Sequence, residues 1–168
     1  TVWFSYAAKR AIDIFGSLFG MILLSPVFLT IAAAVKFTSP GPVIFSQVRV
    51  GRYGRHFKFY KFRSMRVDAE AQKAALLAKN ESKDGVIFKM KDDPRITKVG
   101  KFLRDHHLDE LPQLWNIFVG DMAFIDPRPE RKFYIDKIME IDHRCAYLYQ
   151  IRPGITSMAT LYNGYTDT

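Results

Sequence analysis

Cysteine is nearly absent. Cys145 stands alone among 168 residues, so no internal disulfide can form and a disulfide-stapled scaffold is excluded. The histidines His56, His106, His107 and His143 show no metal-ligand spacing with that thiol, which argues against a structural zinc site. Glycine and proline are ordinary in number, and a composition 48% hydrophobic and 14% aromatic excludes collagen-like, coiled-coil and disordered classes. What remains is a chain long enough to bury the core of one domain.

Acidic residues are missing from the whole stretch between Asp13 and Asp68. Lys36, Arg49, Arg52, Arg55, Lys58, Lys61, Arg63 and Arg66 fall there, and the rest of the chain balances at 17 charges of each sign, so one segment carries the entire net charge of +8. A block of one sign calls for anionic partners: nucleic acid, acidic lipid or phosphorylated substrates.

Charge of either sign is missing from Ile14 to Val35, 22 residues that as a helix of ~33 Å would cross a bilayer core of ~30 Å. Two features oppose a simple span. Lys9 and Arg10 precede the run and Lys36 follows it, so the positive-inside bias leaves neither end outside. Ser25-Pro26 interrupts it near the middle, where proline removes a backbone bond and kinks a helix. The two arms, 12 residues to Ser25 and 10 from Pro26, are then only ~15–18 Å long. A bent helix that dips into one leaflet and returns satisfies charge and length together, with Ser25 serving the backbone groups freed at the bend. A kinked span and a buried core helix are the alternatives.

Beyond Lys36 the pattern is mixed α/β. Val43 to Val50 and His56 to Phe62 are rich in β-branched and aromatic residues around a Gly51-Arg52-Tyr53-Gly54 turn, which predicts a hairpin. Alternation puts Phe57, Phe59, Lys61 and Arg63 on one face; the two cations either project towards an anion or form a solvated strand edge. Asp68 to Asn80 reads as an Ala-rich helix. After the turn at Asp92-Asp93-Pro94-Arg95, an amphipathic helix carries Ile96, Val99, Phe102 and Leu103, with Asp93 or Thr97 as cap.

Leu111, Leu114, Trp115 and Phe118 predict a further helix over roughly 110–119, closed by Gly120. Asp109 falls at its N-cap and Pro112 in its first turn, so Asp109 and Glu110 sit where a phosphate is also favoured. A carboxylate there can attack phosphorus while its neighbour holds Mg²⁺, with Arg104 in reach as an anion clamp; equally, the pair can simply cap the helix. Asp126-Pro127-Arg128-Pro129 presents one arginine between two prolines, suited to a phosphate or to a plain surface turn. Tyr134, Ile138, Ile141, Cys145 and Leu148 form the core stripe of a last helix.

The order of several motifs resembles the bacterial monotopic phosphoglycosyl transferases. They are the basic N-terminal flank, the Ser25-Pro26 break, Gln47-x-Arg49-x-Gly51, Lys61-Phe62-Arg63-Ser64-Met65, Asp93-Pro94-Arg95-Ile96-Thr97, Leu103-Arg104, Leu108-Asp109-Glu110-Leu111-Pro112-Gln113, Gly120-Asp121-Met122, Pro127-Arg128-Pro129 and Arg152-Pro153-Gly154-Ile155-Thr156. The chain departs from the pattern at Asp126, where that family commonly has Gly.

The resemblance implies transfer of a sugar 1-phosphate from a UDP-sugar to polyprenyl phosphate, releasing UMP and requiring Mg²⁺. Asp109 would be the nucleophile and Glu110 its metal-binding neighbour, with Asp109 also near the metal. Lys61, Arg63, Arg104 and Arg128 would contact phosphate, and Ser25 and Pro26 would break a re-entrant helix. The implied fold is a re-entrant membrane helix over 1–36, then a cytoplasmic catalytic domain over 37–168 with a β-hairpin and several amphipathic helices, truncated at its C-terminus. The implied location is the cytoplasmic face of the bacterial inner membrane, contacting lipid of one leaflet, without nucleic acid and with a homodimer as a compatible state. The competing reading is a membrane-bound module that binds anionic lipid or nucleic acid through the basic hairpin.

Overall fold

The apolar run folds as two helices, α1 (Val2–Leu23) and α2 (Ser25–Thr38), in a computed structural model that describes residues 2–69, 71–72, 93–141 and 149–157. Among the described residues no single helix is long and apolar enough to cross a membrane, but the pair passes that test together and is bent by 62° at the break. The break falls at Leu24, one residue before the expected Ser25-Pro26, which form the first turn of α2. Proline belongs there, because a first-turn residue needs no N–H partner. Pro26 would otherwise have bonded the carbonyl of Ile22; the Ser25 hydroxyl donates to that oxygen instead, at 2.8 Å.

The chain gathers into two compact units, residues 1–26, 46–60 and 112–166 in the first, and 27–45, 61–111 and 167–168 in the second. In the first, α1 packs against α4 (Gln113–Val119) and β3 (Ala123–Ile125). Its inward stripe is small and polar: Ser17 is fully buried, and the Asp13 carboxylate accepts from the Phe124 amide at 3.1 Å. Lys9 donates to the Ile125 carbonyl and pairs with Asp126, while Arg10 donates to the Ile117 and Phe118 carbonyls at 2.7 and 2.8 Å. A cation on the last carbonyls of α4 complements the negative end of that helix. The opposite face of α1 is apolar and bare, with Phe15 71%, Phe19 67% and Ile22 66% exposed.

Helix α4 ends at Gly120, in the left-handed region (φ 101°), as its sequence predicts. The fully buried Asn116 then joins it to the neighbouring strand: its side-chain oxygen accepts from the Tyr60 amide and its nitrogen donates to the Lys58 carbonyl and to Asp121. Strand β3 pairs in parallel with β4 (Gly154–Thr156), in register Ala123 with Gly154 and Ile125 with Thr156. A side chain at Gly154 would meet the Asp126 backbone at 2.2 Å, so only glycine fits. Helix α5 (Lys132–Ile141) follows the proline loop and buries Ile135. Cys145, Leu148 and His143 lie outside the described residues.

The expected hairpin is present as β1 (Ile44–Val50) and β2 (His56–Phe62), joined by a tight turn with Tyr53 and Gly54 at positive φ. Its burial does not follow strict alternation: Phe59 and Phe62, of opposite parity, are both 2% exposed. In the second unit, Phe62 joins Ile31, Val35 and Leu103 in one core, with Phe28, Val43, Val99 and Leu111 packed against it. Helix α3 (Lys98–Asp105) is capped by Thr97, whose hydroxyl accepts from the Gly100 amide at 2.9 Å. Asp93, the other candidate cap, binds Arg95. The helix expected over 68–80 lies outside the described residues beyond its first turn.

Candidate active site

Three elements of the second unit bring charged groups together: the end of β2 with the segment after it, the last turn of α3, and the turn that follows. His107, at φ 55° and ψ 18°, reverses the chain after α3 in the left-handed region, a conformation costing a non-glycine residue about 1 kcal/mol. Leu108–Glu110 then forms a 3-10 turn of its own. This corrects the expected start of the next helix. Asp109 does not cap α4, which begins at Gln113 after Pro112. The reason is local: Pro112 cannot donate, and the Glu110 and Leu111 amides bond the His107 and Leu108 carbonyls three residues back. Neither carboxylate is spent on a cap.

Both carboxylates are buried, Asp109 to 5% and Glu110 to 7% exposure. Lys61 bridges them, with Nζ 2.9 Å from Glu110 Oε1 and 3.7 Å from Asp109 Oδ2. Burial pushes the Asp109 carboxyl above the usual aspartate range; Lys61 opposes this, Glu110 adds to it, and Arg104 opposes it more weakly. The raised value means that desolvation outweighs the nearby cations.

Arg104 stands on the last turn of α3, and its Nε donates to the Ser64 hydroxyl at 2.9 Å. Much of this side chain is exposed, yet protein atoms crowd the guanidinium enough to lower its pKa, against the pull of Asp109 and Asp93. Ser64 also fixes the helix itself. Its carbonyl accepts from the Thr97 amide at 3.0 Å, and a Cβ on Gly100 would lie 1.9 Å from that oxygen. Below the helix, Asp93 and the buried Arg95 form a bidentate pair, which holds Asp93 below its ordinary pKa.

Arg63 is placed differently from the expectation. Its terminal nitrogens donate to the Ser39 and Pro40 carbonyls and the Ser39 hydroxyl at 2.7–2.8 Å, clamping the turn after α2. Gly41, at φ 115°, leaves room for this, since a side chain there would strike Arg63 at 2.2 Å. In this arrangement both terminal nitrogens of Arg63 brace the turn after α2. Arg128 belongs to the first unit, exposed on the loop between β3 and α5. That loop is held from two sides: Gly154 N–H donates to the Pro127 carbonyl at 2.8 Å, and Arg49 donates to the Pro129 carbonyl and pairs with Glu130.

The sequence reading missed Ser64, Asn116 and the bracing role of Arg49. The first and last lie inside quoted motifs, but nothing in the spacing distinguishes a brace from a ligand.

The bacterial sugar transferase family matches residues 4–168, and the chain belongs to that family. It is 44% identical, over 90% of its length, to the galactosyl transferase CpsE of Streptococcus agalactiae serotype III (strain NEM316), of which it covers 32%. It is 43% identical, over 95% of its length, to the UDP-glucose:undecaprenyl-phosphate glucose-1-phosphate transferase of Klebsiella pneumoniae, again covering 32%. Over 95% of the chain it is 39% identical to the exopolysaccharide production protein PSS of Rhizobium leguminosarum bv. phaseoli, of which it covers 76%. The chain thus spans about a third of the length of the first two relatives.

Proposed function

We propose that this chain carries the catalytic centre of a phosphoglycosyl transferase, which moves a sugar 1-phosphate from a UDP-sugar to membrane polyprenyl phosphate in glycan assembly. The observation that carries this reading is the Asp109–Glu110 pair, buried, uncapped and bridged by Lys61. Burying two adjacent carboxylates is costly, and titratable groups so placed are characteristic of sites that do chemistry. The names of the two relatives that mention a transferase activity support the same reading.

In the proposed reaction the Asp109 carboxylate attacks the sugar-bearing phosphorus of the UDP-sugar. The bond from that phosphorus to the oxygen bridging to the uridine phosphate breaks, UMP leaves with that electron pair, and an acyl-phosphate forms on Asp109. A phosphate oxygen of the polyprenyl phosphate then attacks the same phosphorus and releases the carboxylate. Splitting the displacement lets a water-soluble and a membrane-confined substrate use one site in turn. Arg104, aimed by Ser64, and Lys61 donate hydrogen bonds to phosphate oxygens and orient them.

Asp109 and Glu110 supply hard oxygen donors, and among the described residues no group of three ligating side chains exists. Hard carboxylate oxygens suit magnesium, which is bound through one or two carboxylates with substrate phosphates and water completing its shell. The charges argue the same way: Lys61 and Arg104 are already balanced by the two carboxylates, and an incoming diphosphate is not. Magnesium there would supply charge neutralisation at the phosphates. The assignment of Arg128 to phosphate binding rests on the resemblance.

The bent pair α1–α2 is proposed to enter one leaflet at the cytoplasmic face of the bacterial inner membrane, with the bare apolar face of α1 towards lipid. The decisive experiment supplies the full chain with UDP-sugar and Mg²⁺ but no polyprenyl phosphate. Up to one equivalent of UMP is released, and the peptide containing Asp109 gains a sugar-phosphate by mass. Asp109→Asn abolishes both; substantial turnover by that variant, with deamidation excluded by mass, removes Asp109 from the role. Repeating the assay over a panel of UDP-sugars identifies the donor.

A further inference from the structure

The first unit contains a cavity of about 270 Å³ that the proposed chemistry does not use. Its wall includes Tyr6, Lys9 and Asp13, one stripe of α1, together with Arg52, Asp126 and Arg152. Lys9 and Asp126 neutralise each other at 2.6 Å, and Asp13 is turned onto the Phe124 amide. Arg52 and Arg152 then face the one remaining carboxylate, Asp13, so one positive charge is in excess. Arg52 spends Nε on the Gln150 carbonyl and one terminal nitrogen on the Tyr53 hydroxyl, leaving the other terminal nitrogen. Arg152 is half-buried, and among the described residues it makes no hydrogen bond or ion pair. Its charge presses on Arg10, whose pKa is lowered by burial and then by Arg152. A cavity with one positive charge in excess, and a guanidinium on its wall that pairs with no carboxylate among the described residues, suits an anion.

The size and position of the cavity select the anion. Pockets that enclose drug-sized ligands begin near ~300 Å³, so this one suits a phosphate with a short polyol better than a whole nucleotide sugar. Along α1, Lys9 precedes the apolar run at Ile14 by five residues, about 8 Å. The headgroup layer is about 5–8 Å deep on each side of a bilayer core, so with the bare face of Phe15, Phe19 and Ile22 in the acyl chains the cavity lies at phosphate level. Tyr6, half exposed at its rim, is an aromatic suited to that interface.

We infer that the cavity lined by Tyr6, Arg52 and Arg152 seats the phosphodiester of an anionic phospholipid. The bound lipid fastens the N-terminal end of α1 at headgroup depth. Arg152 and Arg52 supply the guanidinium donors and Tyr6 borders the glycerol. This inference rests on the membrane reading of α1 given above.

The test uses the full chain purified in mild detergent from mixed phosphatidylglycerol and phosphatidylcholine, with retained lipid counted by native mass spectrometry. Wild type retains one phosphatidylglycerol in preference to phosphatidylcholine. Arg152→Ala and Arg52→Ala each lower that retention about tenfold, the effect of losing one charge-assisted contact. Arg152→Lys, which keeps the charge and loses the fork, falls between. Flotation with pure phosphatidylcholine vesicles and the thermal melt stay at wild-type values in at least one of the three variants. Equal retention by all variants overturns the assignment. So does complete displacement of the lipid by inorganic phosphate or UDP at millimolar concentration, which would make the site one for soluble phosphates. If wild type fails to float with neutral vesicles, the membrane reading fails first and the lipid assignment with it.

Discussion

Asp109 is a costly residue to keep. An aspartate whose folded pKa is raised favours the protonated carboxyl, so its contribution to stability is most favourable below the unfolded value of about 4 and is lost as pH rises through the folded value. The direction of the shift means that burial disfavours the charged form by more than Lys61 and Arg104 offset. Asp109→Asn should raise the melting temperature at pH 7–8, and the gain should shrink to nothing as pH falls below about 4. A lower melting temperature for the variant at neutral pH would mean that attraction to Lys61 exceeds the burial cost.

With Asp109 as the proposed nucleophile, the same shift would set the acid limb of activity. Because attack needs the carboxylate, kcat/KM should fall in acid at a pH above the ordinary aspartate range. Lys61 lowers the Asp109 pKa, so Lys61→Met should move that limb to still higher pH as well as reduce the rate; an unmoved limb would detach Lys61 from Asp109. That two adjacent carboxylates precede Pro112 in a cationic chain was legible; that both are buried was not. Nor was the fate of Arg63. Strand alternation put it on the face of Lys61, but β2 ends at Phe62, and one residue later the face rule no longer holds.

At the scale of elements, α3 owes its position to a glycine no motif singled out. With Gly100 against the Ser64 carbonyl at a distance no Cβ can occupy, Gly100→Ala must push the helix off the segment that follows β2. Overpacking of this kind costs about 1–3 kcal/mol, and the shift would carry Arg104 away from Ser64. Loss of stability together with a fall in activity beyond that of Ser64→Ala, measured by melting and turnover, is the expected pattern. A fully active and stable Gly100→Ala would show that the contact relaxes freely. The hairpin, the Thr97 cap and the Gly120 stop were readable because each depends on neighbours within a few residues. The strands β3 and β4 were not, since three residues carry no usable period and their pairing joins positions 31 apart.

At the scale of the whole molecule, the distribution of charge and the broken helix make a joint claim about topology. Basic residues flank the apolar run at both ends, and Ser25 replaces the bond that Pro26 cannot make, so the bend is satisfied and stable. The sequence located this break to within one residue, although it could not show that one face of α1 is occupied by α4 and β3. Lys9 and Arg10 are tied to those elements as well as to the charge rule, so the N-terminal end of α1 is held where the folded unit is. Replacing Pro26 by Leu restores a donor to the Ile22 carbonyl and removes the ring that opposes a straight helix. In Cys145→Ser with a single cysteine at residue 1, wild type should resist labelling from outside intact cells, whereas Pro26→Leu should become labelled in a measurable fraction of molecules. Labelling of the Pro26-containing protein to the same extent as Pro26→Leu would show that the run already crosses the bilayer, and the re-entrant topology would fall.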